Sequence, residues 1–377
     1  MMALDWLVLS AEALPIPSPD PLGLAAPPVL LQALAYLTFT LHILAVDFTL
    51  GGVLLSLWAR WRKLPGHASM TRFWRLSTPL GFSYLVTFGV PPLLFLQVIY
   101  GQFIYSSSVI LGAMWIATVP MLIFAYGALY LHKLSHEARP RWQLPVLLSS
   151  AIVMLLVGFV LVNNITLSMV PERWAALYHA SPGGVSSNLG EPTLFPRYLL
   201  FMSAPFVIAG MVMVMVGAVL KRWKETEKAR QFSSLGWSSM VLGRFLLVLT
   251  GALLLWSLPP EIAAKVSAGG METLFFALGL LLAMVSTGLV FQASRLARLD
   301  LSIAALVVAS LEAAAFIMLR DQVRLDYLAP HFQLNELTVN AQWGLFGLFA
   351  VSLVVGLVFL ILVTIRVARG LLAARAQ

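Results

Sequence analysis

Long apolar runs, broken by short basic or proline-containing segments, set the pattern of this chain. Nine stretches reach the roughly 20 residues that a helix needs to cross a hydrocarbon core. They are read at about 29–58, 79–104, 109–132, 145–169, 198–220, 235–258, 273–294, 301–319 and 343–365. The pattern predicts an all-α, polytopic membrane helix bundle of about nine transmembrane helices. Residues 1–28 form a separate N-terminal external or interfacial segment, 29–369 a single transmembrane bundle, and 370–377 a cytoplasmic tail. Ala3 to Leu14 reads as a short interfacial helix ended by the proline-rich stretch up to Pro28. No basic region precedes its apolar residues, so no signal peptide is expected. Pro91-Pro92 is expected to kink or break the second span, because proline removes backbone donors. That interruption is all that prompts a transporter reading.

Composition agrees with the pattern. The 377 residues are 60% hydrophobic and 11% charged, and mean hydropathy is +0.90. Cysteine is absent. Covalently attached c-type haem, cysteine-ligated iron–sulfur clusters and disulfides are therefore excluded.

The net charge of +8 is a matter of sidedness rather than of nucleic acid. Most Lys and Arg residues follow spans one, three, five, seven and nine. Only Arg173, Arg197, Lys265, Arg320 and Arg324 lie on the opposite side, with Arg244 inside span six. The positive-inside rule then puts the N-terminus outside and the C-terminus in the cytoplasm, in a bacterial inner (cytoplasmic) membrane.

Among sixteen acids only Asp47 and Glu312 fall inside the expected spans, and among six histidines only His42 is deep. Ionisable groups at membrane depth are costly and mark cofactors, proton paths or polar partners. His42 reads either as an axial haem ligand or as a buried histidine bonded to a neighbouring helix. Asp47 lies about 140° further around the same helix and cannot pair with it on one face. Asp47, Glu312 and Arg244 form either a proton route or a structural ion pair. Gln97, Asn163 and Asn164 read as interhelical hydrogen-bonders. His132 and His136 have a metal-compatible i, i+4 spacing, but at a basic helix end they read as solvated. Met211, Met213 and Met215 read as packing surface.

Span one, with His42 followed seven residues on by Thr49-Leu50-Gly51, resembles the first helix of subunit I of the cytochrome bd quinol oxidases. In that family this histidine ligates a haem. Leu93 to Tyr105, with Gln97, Gly101 and Tyr105, is similar to the exit of the second helix. Leu161 to Asn164 with Met169-Val170-Pro171 is similar to the end of the fourth, Phe195 to Lys221 to the fifth, and Phe275 to Arg298 to the seventh. Met318 to Gln322 resembles the Gly-Arg-Gln segment, and Gly344 to Arg369 the last helix.

The departures are specific. The positions of the low-spin haem ligands fall on Phe201, beside Met202, and near Phe275 or Phe276. The acidic haem ligand falls on Ile317. An acid of the second helix is Gln97, and Trp115 to Tyr126 carry none. The quinol-binding loop shrinks to Pro259–Glu272.

The resemblance thus implies a respiratory-type electron-transfer subunit that is not a complete oxygen reductase. Its expected cofactors are one haem b, its iron held by His42, and a quinone near Asp47, Gln97 and Asn164. Its expected partners are other membrane subunits, a periplasmic c-type cytochrome and the lipid bilayer, and no nucleic acid. The alternative is a haem-free scaffold that anchors a larger electron-transfer complex.

Overall fold

A computed structural model describes residues 16–134, 140–181 and 183–373. The expected helix at 3–14, His136 and Arg139 of the third connection, and the end of the tail from residue 374 lie outside the described residues. Eleven α-helices follow in order: α1 (Pro28–Trp61), α2 (His67–Ile110), α3 (Gly112–Leu134), α4 (Gln143–Leu167), α5 (Trp174–Ala180), α6 (Leu194–Arg222), α7 (Thr226–Ser257), α8 (Pro260–Lys265), α9 (Met271–Leu296), α10 (Leu299–Leu328) and α11 (Trp343–Ala373). Among the described residues nine of these, all but α5 and α8, are long and apolar enough to cross a membrane. The chain is a multi-pass helical membrane protein.

Successive long helices run antiparallel, so the connections gather on two faces. One is basic: Arg60 lies in the last turn of α1 and Arg62 and Lys63 follow it, Lys133 ends α3, Lys221 and Arg222 end α6, and Arg298 precedes α10. The other is rich in loops and carries residues 16–27, 168–193, 258–270 and 329–342. There Leu24 N–H donates to Thr338 O (2.8 Å) and Asn340 N–H to Leu24 O (2.9 Å), which fastens the N-terminal segment to the chain ahead of α11. Asn163 holds a second loop against α4, its Oδ1 accepting from Asn188 N–H at 2.7 Å.

Two helices differ from expectation. Helix α2 runs unbroken through Pro79, Pro91 and Pro92 and leaves helical geometry at Tyr100 (φ −120°, ψ 28°). The prolines remove donors from Thr87 and Phe88 carbonyls but keep helical dihedrals. The backbone departs about two turns later, where Tyr100 and Phe103 pack on Phe332. Helix α10 continues to Leu328, nine residues beyond the expected end. Arg320, Asp321 and Arg324 therefore stand inside a helix and not in a loop. Among the described residues Asp321 joins Asp47 and Glu312 as a third buried acid within the long apolar helices.

Backbone contact between α6 and α7 is made by glycines. A Cβ on Gly210 would lie 2.6 Å from Gly236 O, and one on Gly236 would lie 2.6 Å from Gly210 O. Close approach through small residues is the usual means of helix association where lipid competes with apolar side chains. Both obstructing atoms are backbone, so neither can turn aside. Gly236→Val is expected to cost about 1–3 kcal/mol by overpacking, read as a lower denaturation midpoint in detergent. Gly288→Val, at a position where a Cβ meets nothing within 4 Å, is the control and should change little.

Helix α1 is held at the centre in the same manner. Gly51 faces Pro205 O on α6, and Gly52 takes the edge of the Trp74 indole. Trp74 is buried and donates Nε1–H to Met213 Sδ at 3.2 Å. Met211 and Met213 are buried packing residues, as the pattern suggested.

Candidate functional site

His42 lies midway along α1, on the side that meets α2. Its Nδ1 is 3.0 Å from Leu85 O. A carbonyl can only accept, so Nδ1 carries the proton and Nε2 keeps its lone pair. Room for the ring comes from Gly89, one turn beyond Leu85, where a Cβ would sit 3.0 Å from His42 Cε1. Phe39, one turn earlier on α1, places its ring centroid 6.1 Å from the imidazole. A metal-ligating histidine typically has its second nitrogen fixed by a backbone carbonyl or carboxylate in this way. Such an imidazole could hold a haem iron through Nε2.

The positions that the resemblance assigns to the other ligands carry Phe201, Phe275 or Phe276, and Ile317, none with a donor atom. Any further ligand to such an iron would come from outside this set. No cluster of three or more His, Cys, Asp or Glu side chains able to hold a metal exists among the described residues.

The remaining expected site residues do not converge. Asp47 is buried at 4% exposure and makes no hydrogen bond or ion pair among the described residues. It shares a face with Gly51, one turn on, which meets α6. Asn164 donates from Nδ2 to Ser108 Oγ at 3.0 Å. Leu85, which holds His42, and Ser108, which holds Asn164, stand about 35 Å apart along α2 at 1.5 Å per residue. Half-buried Gln97 lies between them, roughly 17 Å along the helix from either. A single quinone headgroup cannot meet Asp47, Gln97 and Asn164 together, so the expected three-residue quinone site is not assembled.

Two other readings change. His132 is 2% exposed and so is buried rather than solvated, and its expected partner His136 lies outside the described residues. Arg244 pairs with Glu312 without Asp47. Nη1 and Nη2 of Arg244 engage the two carboxylate oxygens, and Nη2 also donates to Ser286 Oγ at 2.7 Å. This triad ties α7, α9 and α10 together as a structural ion pair.

Sequence reasoning missed a polar cluster near the loop-rich face. Asp321, 6% exposed, accepts from Tyr36 OH (2.8 Å), Gln32 Nε2 (3.3 Å), Tyr100 OH (3.1 Å) and Arg324 Nη1 (2.8 Å). Arg324 also lies over the Tyr100 ring at 4.9 Å. Arg197, in the first turn of α6, donates Nε–H to Thr193 Oγ1 (3.1 Å) and lies over Tyr327 at 5.5 Å. Arg320 lies over two aromatic faces, 4.7 Å from the Phe39 centroid and 5.6 Å from that of Phe201. The signal that could have found the cluster was the i, i+3 spacing of Asp321 and Arg324, which suits a helix that continues.

No family model matches this chain, and no curated protein matches it.

Proposed function

We propose that the chain is a membrane subunit of a respiratory-type electron-transfer complex, carrying a single b-type haem on His42. The observation that supports this most is the fixed imidazole: Nδ1 is committed to Leu85 O, and Nε2 is left as a ligand. When bound, the haem supplies one-electron carriage. The protein's part is to hold the ring against Gly89 in one tautomer and to surround it with apolar side chains. The basic connections favour an orientation with the N-terminus outside a bacterial inner membrane. The loop-rich face would then meet a periplasmic c-type cytochrome. A quinone would be met with other membrane subunits, since Asp47, Gln97 and Asn164 stand apart.

The phenylalanines at Phe201 and at 275–276, with Ile317, favour a second reading, a haem-free scaffold. A reduced-minus-oxidised spectrum of the protein purified with its native partners separates the two. The redox reading expects a b-type band at one haem per chain, lost entirely in His42→Ala while the complex stays assembled. A band of equal height in that variant, or none in the wild type, overturns it.

A further inference from the structure

The strongest unsatisfied feature outside the His42 site is positive charge. Among the described residues, Arg173, Arg197, Arg320 and Arg324 are opposed by two acids near the loop-rich face, Glu191 and Asp321. Both acids are already engaged. Asp321 takes the donors from Gln32, Tyr36, Tyr100 and Arg324. Glu191 accepts from Thr193 Oγ1 at 2.9 Å and lies 3.8 Å from Arg173 Nη1. Arg320 has no hydrogen-bond acceptor among the described residues, only the two phenylalanine rings. It lies within electrostatic reach of two cations, Arg197 and Arg324, and of one acid, Asp321, whose oxygens are taken by other donors. Arg197 is 7% exposed and Arg324 4%, yet Arg197 Nη2 and Arg324 Nε are buried without a partner. Arg197 also stands in the first turn of α6, where the helix dipole adds positive potential.

An excess of about two cations at the edge of an apolar bundle is costly unless an anion joins it. Guanidinium groups in a planar fork suit the oxygens of phosphate, which they bind in pairs. Arg320 is only half-buried, so it can be reached from outside the bundle. We propose that Arg320, backed by Arg197 and Arg324, forms a binding site for a phosphate-bearing anion at the loop-rich end of α1, α6 and α10. An anionic phospholipid headgroup and free inorganic phosphate share this chemistry. The site uses no atom of His42 and stands whether or not a haem is present.

The test uses the full chain in detergent, stripped of lipid. Native mass spectrometry and thermal unfolding are followed on adding dioleoylphosphatidylglycerol, dioleoylphosphatidylcholine or inorganic phosphate, to wild type, Arg320→Gln, Arg320→Lys and His42→Ala. One phosphatidylglycerol per chain is expected to bind saturably and raise the unfolding temperature. The affinity in Arg320→Gln should fall by roughly tenfold or more, through loss of the charged fork. Protection by inorganic phosphate equal to that by the lipid assigns the source as free phosphate and supports the same site. Equal affinity in wild type and Arg320→Gln overturns the proposal. So does equal binding of the zwitterionic lipid, and so does a loss in His42→Ala as large as in Arg320→Gln, which would make the anion a haem carboxylate. Should Arg320→Gln fail to fold, Arg320→Lys decides. It keeps the charge without the planar fork, and an unchanged affinity there is equally fatal.

Discussion

Glu312→Ala is expected to lower the unfolding free energy by about 3–5 kcal/mol, the range for removing one partner of a buried ion pair. The pair joins α7 to α10, and the side chains of Arg244 and Glu312 are 16% and 9% exposed. Ser286, fully buried on α9, accepts from Arg244 and donates to Glu312 Oε2 at 3.1 Å. Alanine at 312 strands a guanidinium with one hydroxyl, that of Ser286, for company. Ser286→Ala removes a neutral member and should cost about 1 kcal/mol. Arg244→Met combined with Glu312→Leu removes both charges and should recover most of the loss, because two apolar side chains leave nothing unpaired. Denaturant titration in mixed micelles measures all three. A cost below about 1 kcal/mol for Glu312→Ala would mean that water or lipid headgroups reach the guanidinium, and the pair would not be the tie between α7 and α10 described above.

That pair was legible in the sequence because both partners sit deep inside long apolar runs, where lone charges have nowhere else to go. The nine crossing helices were legible for the same reason. Hydropathy averaged over 20 residues reports what a bilayer selects for. His42 stood out on this logic too, although only the fold shows its Nδ1 on Leu85 O.

The expected end of α10 at 319 rests on one assumption, that a run of charges after an apolar stretch needs water. Helix α10 continues through Arg320, Asp321 and Arg324 because Asp321 is neutralised one turn on by Arg324 and solvated by hydroxyls from α1 and α2. Arg197 and Arg324, counted as loop-side cations, are likewise buried. Such pairings depend on which helices become neighbours, and a single sequence does not report that. The departure in α2 at Tyr100, away from its prolines, is another case of tertiary packing setting local geometry. Asp47 remains the exception, a buried carboxyl for which no partner among the described residues accounts.

Asp321→Ala should be as damaging as the loss of Glu312, and for a different reason. Asp321 is an acceptor shared by three helices: Gln32 and Tyr36 on α1, Tyr100 on α2 and Arg324 on its own helix. Tyr100 is 2% exposed and Arg324 4%, so neither donor can turn to water. Alanine leaves the Arg324 charge and two phenol hydroxyls without their acceptor, an expected loss of about 3–5 kcal/mol. Asparagine keeps the shape and one acceptor oxygen but not the charge, and should cost roughly half as much. Tyr36→Phe removes a single bond to a charged group and should cost about 1.5–3 kcal/mol.

The order Ala, then Asn, distinguishes a charge effect from loss of volume, which would rank them only by packing. Glu312 and Asp321 are about 13 Å apart along α10 at 1.5 Å per residue and share no partner. Their losses should therefore add to within about 0.5 kcal/mol in the double variant. A combined cost well short of that sum would show that the two ends of α10 do not hold the bundle independently. The helix would then have to be treated as one rigid rod, whose two ion clusters fail together.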